Sequence, residues 1–403
     1  MNILFFSEYF PPETTSISRL YSELACDLAD LGHSITVITE TPRYNVAPNS
    51  DQFSCRGSFK LLRFPAPKLP RSGILLRLIE QLIKSIFYMF AVLFSSKADA
   101  VLVSSPPLVT AFFICLCSRI RRFPVAVFVQ DLYPQVAIDL GYLKNKISTG
   151  ISRALEHYVY RSSALLIVHS QGHVKWLTDT GIAEDKINIV PNWVDTKEIK
   201  PFCGDVGRLK REFGLSPETF VVSFAGVIGP AQEIENIIHC AELFKDRPDV
   251  KFVIAGDGIK SSYIKHTAAS KNLSNIVFLP LLDHSSYVRL LYCSDICLIS
   301  LSRLLTTPTV PGKLAMLLAA GKPVIASTPI TSDAKNIIEV NGCGVWVPAG
   351  DATAFKEAVV SLLNDKEKRL SCGLNSRRFA ETNYSRKKCT CAVDSAICSL
   401  ISK

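Results

Sequence analysis

The chain has 403 residues, enough for two or three domains at roughly 150 residues each, so a single small module is excluded. Hydrophobic residues make up 48% and charged residues 20%, a balance that buries large cores and excludes disordered, collagen-like and coiled-coil chains. The net charge is +9, and residues 55–125 alone account for it, with basic side chains such as Arg71, Arg77 and Lys84 set against only Glu80 and Asp99.

In chain order the amino half alternates short apolar strands with helical patterns. Strands are expected at Asn2–Ser7, Ser34–Thr39, Phe59–Phe64, Ala100–Val103, Val125–Val129 and Ala164–Val168, with helices near 18–31 and 74–96. The rhythm stops after Pro201 and around Gly204 and then starts again. Strands follow at Phe220–Ala225, Lys251–Ala255, Ile276–Pro280, Ile296–Leu301, Pro323–Ala326 and Gly344–Pro348, with helices near 233–245 and 313–319. Repeated strand–helix–strand units imply an α/β chain with two parallel sheets, that is, two Rossmann-like domains facing a cleft. The boundary is expected at 201/202, with a carboxyl-terminal helix near 385–403 returning to the first domain.

Two very apolar runs lie inside the basic segment, Ser85–Phe94 and Leu108–Cys117. The first is short of the ~20 residues a helix needs to cross a bilayer. The second is broken by Pro106 and Pro107 after a buried strand. A basic, apolar stretch of this kind can lie on an anionic membrane surface instead, and an ordinary amphipathic helix with solvated charges explains it equally well. Nucleic acid is not expected as a partner, because no recognition motif accompanies the charge.

The 13 cysteines are scattered and odd in number, which points to reduced thiols rather than a disulfide framework. Close pairs such as Cys293/Cys297 lack histidines at zinc spacing, so no metal is expected there. The chain opens directly on a strand without the pattern of a signal peptide, and the protein is expected to remain in the cytoplasm.

In open α/β sheets, ligands sit beyond the carboxyl ends of strands. After the first strand of the second half comes Gly226-Val-Ile-Gly229-Pro-Ala-Gln232, leading into a helix whose free N–H groups favour an anion; a purely structural turn is the alternative. At Val310-Pro-Gly312-Lys313 a lysine occupies a helix start, where a cation opposes the dipole unless an anion lies between them. Lys313 is therefore a phosphate candidate. In the amino half, Asp131-Leu-Tyr-Pro134 follows a buried strand, and Asp131 is either a site residue or a turn aspartate. His169 follows the next strand in the same way. A dinucleotide G-x-G-x-x-G after the first strand, a P-loop and a G-x-S-x-G elbow are all missing, which weakens dehydrogenase, kinase and hydrolase readings.

Together, Tyr9-Phe-Pro-Pro-Glu13, Leu31-Gly-His33, Ser105-Pro-Pro107, Asp131-Leu-Tyr-Pro134, Val190-Pro-Asn-Trp-Val-Asp195, Gly226–Gln232, Ala255-Gly-Asp-Gly258 and Ala319-Ala-Gly-Lys-Pro-Val324 resemble the family 4 glycosyltransferases, retaining enzymes of the GT-B fold. The chain is most similar to the fucosamine-transferase-like branch of O-antigen and colanic-acid assembly. The resemblance implies a carboxyl domain that holds a nucleotide-diphosphate sugar, a UDP sugar being favoured, and an amino domain that takes a lipid-linked saccharide at the cytoplasmic membrane face. By the same resemblance Gly229, Gln232, Gly312 and Lys313 would approach the diphosphate or sugar, and Asp257 and Leu279 would lie near the nucleoside. Glu13, Arg19, Asp131 and His169 would lie on the acceptor side, Asp131 and Lys313 being catalytic.

No cofactor is implied: a lysine and helix N-termini can stabilise a departing nucleoside diphosphate, so the carboxylate pair of glycosidases is unnecessary. One departure stands out. The family's ribose-binding glutamate falls here on Met316 and its earlier glutamate on Pro308. Losing a charge-assisted hydrogen bond costs about 1.5 to 3 kcal/mol, which leaves open a catalytically silent partner protein. A sugar-nucleotide epimerase of the same two-domain fold is a further alternative.

Overall fold

The computed structural model describes residues 1–42, 58–67 and 74–400. Of the basic segment, Arg56, Lys68, Arg71 and the side chain of Arg77 lie outside the described residues. The chain divides into two compact units, one formed by Met1–Asn192 with Lys387–Lys403 and the other by Trp193–Arg386.

The first unit carries seven strands, β1 Asn2–Phe6, β2 Ser34–Glu40, β3 Lys60–Phe64, β4 Ala100–Ser105, β5 Val125–Val129, β6 Leu165–Val168 and β7 Ile187–Ile189. They form one parallel sheet in the order β3-β2-β1-β4-β5-β6-β7. The central strands β4 and β5 are buried along their whole length, the pattern of a strand covered on both faces. The edge strands β3 and β7 carry half-exposed positions. Behind the sheet, the Tyr21 ring of the Ser16–Asp30 helix packs edge-on against Phe5 at 5.1 Å and reaches Phe128 at 5.6 Å. Side-chain caps start the helices: Thr15 accepts from Ser18 N, Asn145 from Ile147 N and Ser170 from His173 N, each contributing about 1 kcal/mol.

Two sequence expectations change here. Pro106 and Pro107 do not break the following apolar run: Pro107 is the N-cap of a helix, Leu108–Arg121, since proline is tolerated where a helix has no N–H to satisfy. The second concerns the basic segment. Lys84, on the helix Ile74–Leu93, is not a membrane-facing charge. It is buried, with its Nζ 3.1 Å from Glu8, 3.0 Å from Glu40 and 3.1 Å from Glu80, and these carboxylates raise its pKa despite the desolvation of the site. Arg63 likewise donates to the Glu40 and Pro11 carbonyls, and Arg121 to those of Leu93 and Ser95 at 2.9 Å each. Of the basic side chains described in this segment, Arg63, Lys84 and Arg121 are thus engaged within the first unit, while Lys60, Lys97, Arg119 and Arg122 are exposed.

The same helix presents Ile79, Leu82, Ile86, Phe87, Phe90 and, just past its end, Phe94 to solvent, while Lys84, Ser85, Tyr88 and Val92 are buried. At 100° per residue these are opposite faces. Among the described residues no helix is long and apolar enough to cross a membrane.

The second unit carries β8 Phe220–Ala225, β9 Val250–Ala255, β10 Ile276–Leu279, β11 Ile296–Ser300, β12 Val324–Thr328 and β13 Gly344–Pro348. They form a parallel sheet ordered β10-β9-β8-β11-β12-β13. Val222, Phe224, Phe252, Ile254 and Leu298 pack one face against Ile237, Ile238, Phe355 and Val359. The fold is thus two Rossmann-like parallel-sheet units, as the strand rhythm implies. The first unit ends at Asn192 rather than Pro201 because Val194 already bridges to Ser385 and Arg377 ties the Thr196 and Ile199 carbonyls at 2.8 and 2.7 Å. The helix Arg386–Cys398 returns to the first unit from Lys387 on. Cys26 is disulfide-bonded, a departure from the expectation of reduced thiols; the other cysteines among the described residues are free.

Candidate functional site

In each sheet the strand order reverses beside one strand, between β1 and β4 in the first unit and between β8 and β11 in the second. Loops leaving neighbouring strands there diverge to opposite faces and open a crevice at the carboxyl edge. In the second unit those loops are the Gly226–Gln232 turn after β8 and the segment running from Leu301 to Lys313 after β11.

The two loops are fastened together and to the β9 exit by backbone bonds. Gly226 N donates to Ala255 O at 2.9 Å, Ile228 N to Asp257 O at 2.9 Å, Lys260 N to Ile228 O at 3.1 Å and Ser302 N to Ala231 O at 2.9 Å. Only glycine fits the closest approach: a Cβ on Gly256, whose φ is +144°, would lie 1.9 Å from Gly226 O. Gly256 N in turn donates to Leu279 O at 3.2 Å, so Asp257 and Leu279 sit beside the glycine turn.

Lys313 stands at the start of the Leu314–Ala319 helix and reaches back over β8. Its Nζ lies 3.7 Å from the Phe224 ring centroid and donates to Ala225 O at 3.2 Å, and a Cβ on Gly226 would sit 3.1 Å from it. Among the described residues no carboxylate pairs with it, and desolvation pushes its pKa down to about 7. A cation that protein groups do not neutralise, beside a glycine turn at a switch point, can take an anion. Gln232 Oε1 is buried without a hydrogen-bond partner and is free to accept from a ligand hydroxyl. Gly312 is exposed next to Lys313, and Met316, half-buried, follows on the same helix.

One residue of this site gave no signal beyond its place before a helix. Glu233 is buried, accepts from Arg303 N at 3.0 Å and Arg303 Nε at 2.7 Å, and receives Ser300 Oγ on its carbonyl at 2.8 Å. It holds the β11 exit against the β8 turn. Its partners lie about seventy residues away in the chain, which no local pattern reveals.

In the first unit the predicted residues follow three strands: Glu13 and Arg19 come after β1, Asp131 after β5 and His169 after β6. Glu13, in the loop after β1, is buried. Arg19 is bound to Glu23 at 2.9 Å, so part of its charge is already taken. Asp131, beyond β5, keeps an exposed side chain, and the protein packed around it nonetheless removes enough water to raise its pKa above the usual carboxylate value. His169, beyond β6, is buried with both ring nitrogens engaged, Nδ1 at 3.2 Å from Val190 O and Nε2 at 3.0 Å from the Gln130 amide. Burial pushes its pKa down to about 4, so the ring is neutral and has one N–H to donate. Nε2 faces Gln130 Oε1, which also accepts from Asn192 Nδ2 at 3.3 Å, while Gln130 Nε2 donates to the Tyr21 hydroxyl at 3.1 Å. In that arrangement His169 orients the β5 and β6 exits and holds no spare proton.

Two family models match the chain, "Glycosyl transferase 4-like domain" over residues 17–193 and "Glycosyl transferases group 1" over residues 205–379. WcaI of Escherichia coli (strain K12), named for colanic acid biosynthesis as a glycosyl transferase, is 25% identical over 80% of this chain and 82% of its own length. WbjE of Pseudomonas aeruginosa, named as a glycosyltransferase, is 25% identical over 79% of this chain and 78% of its own. The fold is shared with Anabaena HepE, solved with UDP and glucose, at a TM-score of 0.73, 16% identity, and coverage of 99% of this chain and 100% of that one. With a 4-like domain on the first unit and a group 1 domain on the second, the chain belongs to the family 4 type of GT-B glycosyltransferases.

Proposed function

We propose that the chain is a retaining enzyme that moves a hexose or amino-deoxyhexose from a nucleotide diphosphate, a UDP sugar foremost, to a lipid-linked glycan in bacterial surface polysaccharide assembly such as O-antigen or capsule. The observation that carries this reading is Lys313, a cation without a carboxylate partner set over β8 beside the Gly226 turn. The donor class is supported by HepE, which holds UDP and glucose on the same fold, and the pathway class by the naming of WcaI.

In the step envisaged, the bond between the anomeric carbon and the β-phosphate oxygen breaks while a bond to the acceptor oxygen forms on the same face. The acceptor proton passes to the departing phosphate. Charge grows on the diphosphate as the bond lengthens, and Lys313 together with the Gly229 N–H of the turn stabilises it more than the ground state, which is what lowers the barrier. Gln232 Oε1 would accept from a sugar hydroxyl. Asp131 would accept from the acceptor hydroxyl and orient it, and Asp257 and Leu279 would flank the nucleoside.

The exposed apolar face of the Ile74–Leu93 helix supports a membrane-surface placement for the first unit, with Lys97, Arg119 and Arg122 as the exposed cations nearby in the chain. A silent-partner reading is favoured by Met316 alone. The test is transfer from UDP- and GDP-sugars to a polyprenyl-diphosphate saccharide, with the product's anomeric configuration read by proton NMR. Turnover with the donor's configuration kept is the expected result. An inverted product overturns retention, and neither turnover nor nucleotide binding would bring the silent partner forward.

A further inference from the structure

We propose that the turn after the Ser16–Asp30 helix and the carboxyl-terminal helix together form a zinc site, with His33 Nε2, a carboxylate oxygen of Asp394 and Sγ of Cys398 as its protein ligands. Their donor atoms all lie within 4.8 Å of one another, and this is the only such group among the described residues. His33 Nε2 is 2.6 Å from Asp394 Oδ1, and Cys398 Sγ is 3.7 Å from the same oxygen. All three residues are half-buried.

The His33–Asp394 hydrogen bond and the thiol hydrogen bond from Cys398 to the same carboxylate already gather the three residues, and an ion would take the place of the protons they share. Asp394 and Cys398 are four apart on the helix Arg386–Cys398, so helix geometry sets carboxylate and thiol on one face. The turn at Gly32, with φ +90°, brings His33 to meet them. Zinc takes nitrogen at about 2.0 Å, carboxylate oxygen at about 2.0 Å and thiolate sulfur at about 2.3 Å in a tetrahedron, which separates oxygen from sulfur by roughly 3.5 Å and nitrogen from oxygen by roughly 3.3 Å. The oxygen–sulfur pair already has that spacing. The nitrogen–oxygen pair must open by roughly 0.7 Å, a side-chain rotation, so that each bonds the ion instead of the other. The Met1 thioether lies 3.7 Å from Cys398 Sγ and shields the sulfur side.

An ion there would join residues 361 positions apart and hold the last helix to the unit that begins the chain. It needs no contact with the sugar-transfer chemistry and stands apart from that reading.

The full-length protein, stripped with a chelator, is titrated first with Co2+ and then with Zn2+ against a chromophoric competitor. One equivalent is expected, with a thiolate-to-cobalt charge-transfer band in the near ultraviolet and a melting temperature that rises with zinc. Cys398→Ser replaces one atom at a helix end, and should abolish the band and weaken zinc at least tenfold. His33→Gln should weaken zinc by a similar factor. Because the chain has other free thiols, the variant decides the matter. Zinc held equally tightly by Cys398→Ser, or a wild type that takes up less than one equivalent, overturns the proposal.

Discussion

The two units share a sheet architecture and a switch point but furnish that point in opposite ways. Around β8 the loops are rich in glycine, interlocked backbone to backbone, and crossed by one cation that protein groups leave unneutralised. Around β1 the loop carries prolines, and the charged side chains nearby are bound to each other, Arg19 to Glu23 and Lys84 to three glutamates. On the proposed reading the second unit meets a diphosphate, which is common to all nucleotide-diphosphate sugars and can be met by a fixed charge. On the same reading the first unit, which neutralises its own charges, would recognise an acceptor by shape and a few hydroxyl-directed groups such as Asp131.

The most direct way to break the contrast is Gly256→Ala. Its Cβ would meet Gly226 O at 1.9 Å in a backbone region alanine avoids, so we expect a stability loss of about 3 kcal/mol or more, read as a fall in melting temperature, with nucleotide binding lost in parallel. A variant with unchanged melting would mean the interlock is dispensable.

Next in size is Lys313→Ala, expected to weaken UDP binding roughly a hundredfold, about 2.7 kcal/mol, by calorimetric titration. The ammonium of the free protein titrates near pH 7, and a bound diphosphate favours its charged form. Donor affinity should therefore be full below pH 7 and fall as pH rises, by up to about tenfold per unit until the pKa of the complex is reached. The alanine variant should lose that slope.

Met316→Glu sharpens the comparison from the other side by restoring a charged acceptor on the Leu314–Ala319 helix. A gain of about 1.5 to 3 kcal/mol, roughly ten- to a hundredfold in donor affinity, is expected. No gain would show that another group already binds the ribose. The smallest effect concerns the first unit's apolar face. Phe90→Ser with Phe94→Ser should weaken sedimentation with anionic vesicles by about tenfold, since each exposed ring can contribute only part of its ~2 kcal/mol of burial. Unchanged sedimentation would remove the membrane from the picture.

The strands were legible because parallel sheets bury continuous apolar runs: Val101–Val103 and Val125–Val129 can hardly be anything else. The glycine turn and Lys313 were legible because each departs from a local rule. The fate of Lys84 was not, since its partners Glu8 and Glu40 come from loops far off in the chain and only folding brings them to one nitrogen. Glu233 was hidden for the same reason, since it reads as an ordinary helix start, and so were the partners of His169, which the sequence picks out as a strand-end candidate but whose bonds to Gln130 and Val190 only the fold supplies. β7, with three residues, is too short to carry a period.

The pairing of Val194 with Ser385 has a topological consequence. With Val194 N on Tyr384 O at 2.9 Å and Arg386 N on Val194 O at 3.0 Å, residues 193–386 are an insertion whose entrance and exit are stitched side by side. The loop-closure entropy of that long excursion is met within the insertion itself, so the second unit can be cut out or moved to another position in the chain without leaving distant loose ends.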